Sequence, residues 1–365
     1  MAERCRRLTA SPDTYLYLWD LSGDAARARD LARLGRLAEA EAAYARAVER
    51  RPRDLTLRLD RARFYARQRQ WDKAADDFAA VLQVQADQPQ LWLECGRWNA
   101  EAGRWDQVAA DFDRALELVP EDINQFSQRN QIAVELAQWD QAFARAVELR
   151  PKDGMLWIGR GRYLGRRGRW KEAAEAYARV IATRPLERNE EWYEYACLLL
   201  LAGDTAGYRR FCQEQIARAG TVKDPFLAYV LARTCGQAPG AADPAQVVRW
   251  GEQAVRSERN AWFLHTLGLA LYRAGQYEQA IKLLEESDRA NWGQRTLLNW
   301  LALALAHHRL GHAAAARRWL DKATAELKRV RDAKPNELAD FPITDWLEAE
   351  VLRREAEEGI GASSS

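Results

Sequence analysis

Leu37, Trp71, Trp105 and Trp139 stand 34 residues apart, and Trp170 follows after 31. A period of this length leaves few folds open, because each unit is one supersecondary element that buries its apolar face only against its neighbours. Three residues after each marker comes a small or apolar side chain: Ala40, Ala74, Val108, Ala142 or Ala173. Four further on, four units place an aromatic ring (Tyr44, Phe78, Phe112, Tyr177). Offsets of three and four repeat one face of a helix. A second helical stretch precedes the marker, as in "QLWLECGRWNAEAG" and "MLWIGRGRYLGRRG", which end on Gly103 and Gly168. Pro52, Pro120, Pro151 and Pro185 close units, where a helix cannot continue. The pattern is two amphipathic helices joined by a glycine turn, and it predicts an all-α chain.

Trp92, Gly96, Gly103, Trp105, Phe112, Ala115 and Pro120 together resemble the tetratricopeptide repeat. That resemblance implies a right-handed α-solenoid of about nine helix-turn-helix units with a C-terminal capping helix. Residues 23–188 hold five regular units, the fourth shortened, and residues 189–330 hold four divergent ones. Among the latter, "WFLHTLGLALYRAGQYEQAIKLLEES" is the cleanest, with Leu267, Gly268, Gly275, Tyr277 and Ala280 in place. Residues 343–358 read as a charged amphipathic helix whose polar face ends the stack. Residues 359–365 read as a disordered tail. Residues 1–22 contain "TYLYLWDLSGD", which fits no repeat; it is either a capping helix or an extended segment like the last strand of a WD40 blade.

The fourth unit, "QWDQAFARAVELRP", is three residues shorter than "RWDQVAADFDRALELVP" of the third. Counted back from the prolines, Phe143 matches Phe112 and Ala146 matches Ala115, so the loss falls in the first turn of the second helix. Three residues are about 300° and roughly 4.5 Å of helix, which keeps the apolar face inward. The next helix carries Gly159, Gly161, Gly165 and Gly168, each interior glycine weakening it by roughly 1 kcal/mol against alanine. A structural bend near residues 138–168 is expected, not an active site.

Composition narrows the function. Basic and acidic residues number 55 and 53, and eight lysines leave 47 arginines. A net charge of +2 disfavours a dedicated nucleic-acid binder, although arginines beside fifteen tryptophans could stack bases. Trp71, Trp105 and Trp170 recur at one repeat position and Trp92, Trp157 and Trp192 at another, which is a packing signature; Trp262, Trp300 and Trp319 fit neither series. Five scattered cysteines without a CxxC pair fit free thiols in a reducing compartment. No apolar stretch follows "MAERCRRLTA" as a secretion signal requires, and "LLNWLALALA" is too short to span a bilayer. The expectation is a cytoplasmic protein with no membrane contact.

Catalytic constellations are missing from the sequence. Gly159, Gly161 and Gly165 have the spacing GxGxxxG without a preceding strand, so Gly161 reads as the small residue where the two helices touch. His308 and His312 share metal-ligand spacing, but Gly311 turns the chain between them and reads them as solvated turn residues. No cofactor, metal or enzyme activity is expected.

The tetratricopeptide resemblance implies that first helices line a concave face. Carried over position by position, it places Arg63 and Arg67 of the second unit there, Leu93 and Arg97 of the third, and Ile158, Arg162 and Arg166 of the fifth. The eighth unit adds Trp262, His265, Leu269 and Tyr272. The arginine ladder of Arg63, Arg97 and Arg162 over an apolar stripe suits an extended peptide with acidic side chains or a free carboxylate. It departs from the family's lysine and asparagine clamp, and the same arginines could equally pair with acids of adjacent helices. The short fourth unit, "LAHHRLGHAAAARRWLDKA" and "WLEAEVLRREAE" resemble helical tails of large bacterial proteins, where they follow a Ser/Thr kinase or a WD40 propeller. The expected function is a protein–protein interaction scaffold that binds a protein or peptide. Regulation in cis of a kinase or propeller, or nucleic-acid binding, are the alternatives.

Overall fold

Gly103 has φ +73°, in the left-handed region that glycine enters without steric cost, and here it ends one helix and starts the next. Repeated along the chain, such turns divide it into antiparallel pairs. The computed structural model describes residues 12–119, 126–186, 188–290, 293–332 and 341–362. Residues 1–11, the closing Pro120, the linker through residue 340 and residues 363–365 of the tail lie outside them.

Nineteen α-helices and no strands occur among the described residues. They pair as α1 (Pro12–Arg33) with α2 (Leu37–Arg50), α3 (Leu55–Arg67) with α4 (Trp71–Leu82), and α5 (Pro89–Glu101) with α6 (Trp105–Leu118). Next come α7 (Phe126–Leu136) with α8 (Asp140–Leu149), α9 (Gly154–Arg166) with α10 (Trp170–Ile181), and α11 (Asn189–Leu201) with α12 (Thr205–Ala219). The last pairs are α13 (Pro225–Cys235) with α14 (Pro244–Ser257), α15 (Ala261–Arg273) with α16 (Tyr277–Arg289), and α17 (Leu297–Arg309) with α18 (Ala313–Asp332). The final helix, α19 (Ile343–Ala362), has no pair. Odd-numbered helices are the first members of their pairs. This is an all-α solenoid of helix-turn-helix repeats. "TYLYLWD" lies within the helix Pro12–Arg33, and the last helix runs to Ala362.

The periodic positions hold the pairs together. Ala40, Ala74, Val108, Ala142 and Ala173 are all at most 2% exposed, as is Phe112. A Cβ on Gly161 would stand 2.5 Å from the Tyr177 ring, and one on Gly96 would stand 2.7 Å from Phe112. Glycine at that position lets the first helix touch the aromatic ring of the second. Trp92 and Trp192 each donate their indole N–H to the carbonyl six residues back, Ala86 at 2.9 Å and Leu186 at 2.8 Å. These tryptophans staple the loop before a first helix.

Contacts gather into two units, Met1–Asp153 and Gly154–Ser365, and the boundary directly follows the shortened repeat. There α8 has 10 residues where α6 has 14. Its inward face survives: Ala142, Phe143 and Ala146 are buried, and Trp139, now the N-cap, meets the Phe112 ring edge-on at 5.9 Å.

Candidate functional site

In the N-terminal unit the first-helix face is lined by α3 and α5. Arg63 donates from Nε and Nη2 to both oxygens of Glu94, each at 2.7 Å. Arg97 does the same to Glu135, its Nη2 contact being 2.9 Å. Each arginine therefore bridges to the next first helix, and the acid on that helix satisfies its fork. Glu94 raises the Arg63 pKa and Glu135 that of Arg97, in each case through the hydrogen bond, against the opposing effect of burial. Both arginines stay partly open, with side chains 39% and 51% exposed. Arg67 is exposed and forms no ion pair among the described residues. Leu59 and Leu93 are half-buried beside them.

The same face of the C-terminal unit is covered. α19 packs against α17, α18, α11 and α9, so it meets the last pair as a cap does and also runs back along earlier first helices. Leu347, Ala349, Leu352 and Ala356 are at most 1% exposed and join the unit's main core. Its acids are buried as well: Asp345 and Glu348 are 0% exposed and Glu350 2%. Arg233 of α13 donates from Nη2 to Asp345 and Glu348, 2.8 Å each. Arg295 approaches the other Asp345 oxygen at 3.1 Å. His265 of α15 places Nε2 3.0 Å from Glu348 and Nδ1 2.8 Å from Asn299. Tyr272 donates its hydroxyl to Glu355 at 2.9 Å, and Arg273 clasps the same carboxylate at 2.5 and 2.6 Å. Burial alone would raise the Glu348 pKa, but Arg233 and His265 more than offset it and hold the carboxyl well below its ordinary range.

These contacts place each candidate residue. Arg166 donates to the Phe341 carbonyl just before α19 at 2.7 Å, and burial lowers its pKa. Arg162 is 7% exposed and bound to Glu194 at 2.9 Å, an acceptor it shares with the Tyr177 hydroxyl. Ile158 is fully buried, and Leu269 is 2% exposed in the core that includes α19. Trp262 lies under the Arg295 guanidinium, 4.4 Å from the ring centroid. Among the described residues no helix covers Arg63, Arg67, Leu93 and Arg97 as α19 covers the C-terminal unit, where Ile158, Arg162, Arg166, His265, Leu269 and Tyr272 are turned inward to α19 or to the core and Trp262 is partly buried. α19 itself went unread as a ligand of this face. Its signal was the spacing of Asp345, Glu348 and Glu355, which puts three carboxylates on one side of the helix.

Other candidate chemistry is sparse. The turn between α17 and α18 brings His307 and His312, rather than His308, to an Nδ1–Nδ1 distance of 3.2 Å. No group of three metal-binding side chains occurs among the described residues. Cys95, Cys197, Cys212 and Cys235 are free thiols. No helix among the described residues is long and apolar enough to cross a membrane.

The tetratricopeptide repeat profile matches residues 25–90, 133–206 and 265–333, more than half of the chain. No curated protein matches it. Among solved structures, the anaphase-promoting complex assembly Cut9–Hcn1 is 15% identical with a TM-score of 0.38, over 88% of this chain and 52% of that one. The chain thus spans about half the length of that relative. A tetratricopeptide repeat protein from Parabacteroides merdae is 14% identical with a TM-score of 0.30, covering 79% of this chain and 98% of that one. Yeast Tom70 is 11% identical with a TM-score of 0.30, covering 97% and 100%. With the repeat profile, the helix pairs and the glycine–aromatic contacts in agreement, the chain belongs to the tetratricopeptide repeat family.

Proposed function

We propose that the chain is a non-catalytic, cytoplasmic scaffold that binds a peptide or partner protein on the first-helix face of its N-terminal unit. The observation behind this reading is the contrast between the two faces: α19 covers that of the C-terminal unit, and no described residue covers α3 and α5 in the same way. Leu59 and Leu93 offer apolar area there, worth roughly 25 cal/mol for each Å² that a partner removes from water. Arg67, exposed and without an ion pair among the described residues, is available to a partner's carboxylate. Arg63 and Arg97 reach a partner only in competition with Glu94 and Glu135, so they add selectivity more than net charge. This internal pairing and the net charge of +2 leave nucleic-acid binding the weaker reading. Regulation of a kinase or propeller in cis would use the same face, with the partner on the same polypeptide.

The test is capture of partners by the intact chain and by the variant Arg63→Glu/Arg67→Glu/Arg97→Glu, whose fold is checked by circular dichroism. Partners held by the wild type should be lost from the variant. Retention of all of them by a folded variant would end this assignment.

A further inference from the structure

The C-terminal unit holds a cavity of about 520 Å³ between the opening turns of α11 and α15 and along α13, closed on one side by Pro342 and Thr344 at the start of α19. That volume is in the range of sites that enclose a small ligand or a large side chain. Its wall is aromatic: Tyr193, Phe226, Tyr229, Trp262 and Phe263 all line it. Three of these rings form a series, Phe226 to Tyr229 at 5.8 Å between centroids and Tyr229 to Phe263 at 4.8 Å. Phe226 is 52% exposed at the entrance, although it is a large apolar ring.

The polar atoms define the ligand further. Arg233 forms part of the wall, but Asp345 and Glu348 hold its guanidinium, which also stacks on Tyr193 at 4.1 Å. It is therefore spent on the protein and presents no free positive charge. Thr234 also lines the cavity; it is fully buried, and its hydroxyl has no hydrogen-bond partner among the described residues. At the rim stand two exposed carboxylates, Glu258 and Glu190, the latter 3.7 Å from the Arg188 guanidinium.

We infer that this cavity is a second docking site, which takes one aromatic or large aliphatic side chain of a partner peptide whose neighbouring residues are basic. The aromatic wall receives the anchor, and Glu190 and Glu258 select the flanking cations by charge complementarity. The inference rests on the scaffold reading above but places its site in the other unit, with a preference opposite in charge to that of Arg67.

The experiment titrates the full chain into three fluorescein-labelled pentapeptides, Gly-Lys-Phe-Lys-Gly and its Phe→Ala and double Lys→Glu analogues, followed by anisotropy. The first should bind, and each analogue should bind at least about tenfold more weakly. Val230→Trp, which fills the cavity, should abolish binding of the first peptide. Phe226→Ala, at an exposed position that does not threaten the fold, should weaken it several-fold. Equal binding of all three peptides, no binding to any, or full binding by a folded Val230→Trp chain would each overturn the inference. In those cases the capture experiment on the N-terminal face decides the scaffold reading separately.

Discussion

α3 and α15 are the same element of the same repeat, yet they have opposite surroundings. α3 carries Arg58, Asp60, Arg61, Arg63 and Arg67, and its buried residues form one side. α15 has one arginine and one histidine in thirteen residues, and every residue from Phe263 to Tyr272 is buried. A helix apolar on all sides must be covered on all sides. In the N-terminal unit the pairing of neighbours covers only one side of each first helix. In the C-terminal unit α19 supplies the missing cover, and its carboxylates meet Arg233, His265 and Arg273. One repeat can thus make an open face or a filled one, depending on whether its first helices are amphipathic.

The ion pairs are where this contrast breaks most sharply. Arg233→Ala would leave Asp345 and Glu348 buried without their shared cation, and loss of one partner of a buried pair costs about 3–5 kcal/mol. Arg63→Ala breaks a bidentate pair of similar geometry at a side chain 39% exposed, and should cost no more than about 1 kcal/mol. Urea denaturation of the two variants compares them directly. Equal losses would mean that α19 is not buried as described.

Acid separates the units next. Burial raises the Asp111 pKa to about 6 in the N-terminal unit, only partly opposed by the hydrogen bond from Asn99. A carboxyl with a folded pKa above its unfolded value takes up a proton on folding. It therefore destabilises at neutral pH, and that cost fades as pH falls through about 6 toward about 4. Asp111→Asn should stabilise the chain at pH 7 and have little effect at pH 4, as read by thermal melts. Glu348 has the opposite sign: its folded pKa is depressed, so its contribution is present above the ordinary carboxylate range and persists until the pH falls well below it.

The smallest effect concerns a turn. Arg69 has φ +57° where most other repeats use glycine, as at Gly103 and Gly168. Arg69→Gly should stabilise the second repeat by about 1 kcal/mol, measured as a shift in the urea midpoint. A loss of stability would show that the arginine side chain makes up for its backbone strain.

Much of the fold was legible because repetition exposes packing. Ala74, Val108 and Ala173 could be assigned to the core from their offset alone, and the ring positions of Phe112 and Tyr177 followed. The ladder of Arg63, Arg97 and Arg162 was legible as a series, but its partners were not. Glu94, Glu135 and Glu194 sit on the next first helix at separations of 31, 38 and 32 residues, and only the stacked structure brings them within reach. α19 was misleading for a different reason. Asp345, Glu348, Glu350 and Glu355 give it the composition of a surface helix, and nothing local shows that Arg233, His265, Arg273 and Arg331 lie waiting for those charges. The apolar surround of α15 and α17 was the hint that something must cover them.

Hydrogen exchange of the intact chain, read peptide by peptide, tests this directly. If α19 is part of the core, amides between Leu347 and Ala356 should be as protected as those of α15 and α17, far beyond an exposed terminal helix. Exchange of that segment within seconds, while α15 and α17 stay protected, would contradict the account.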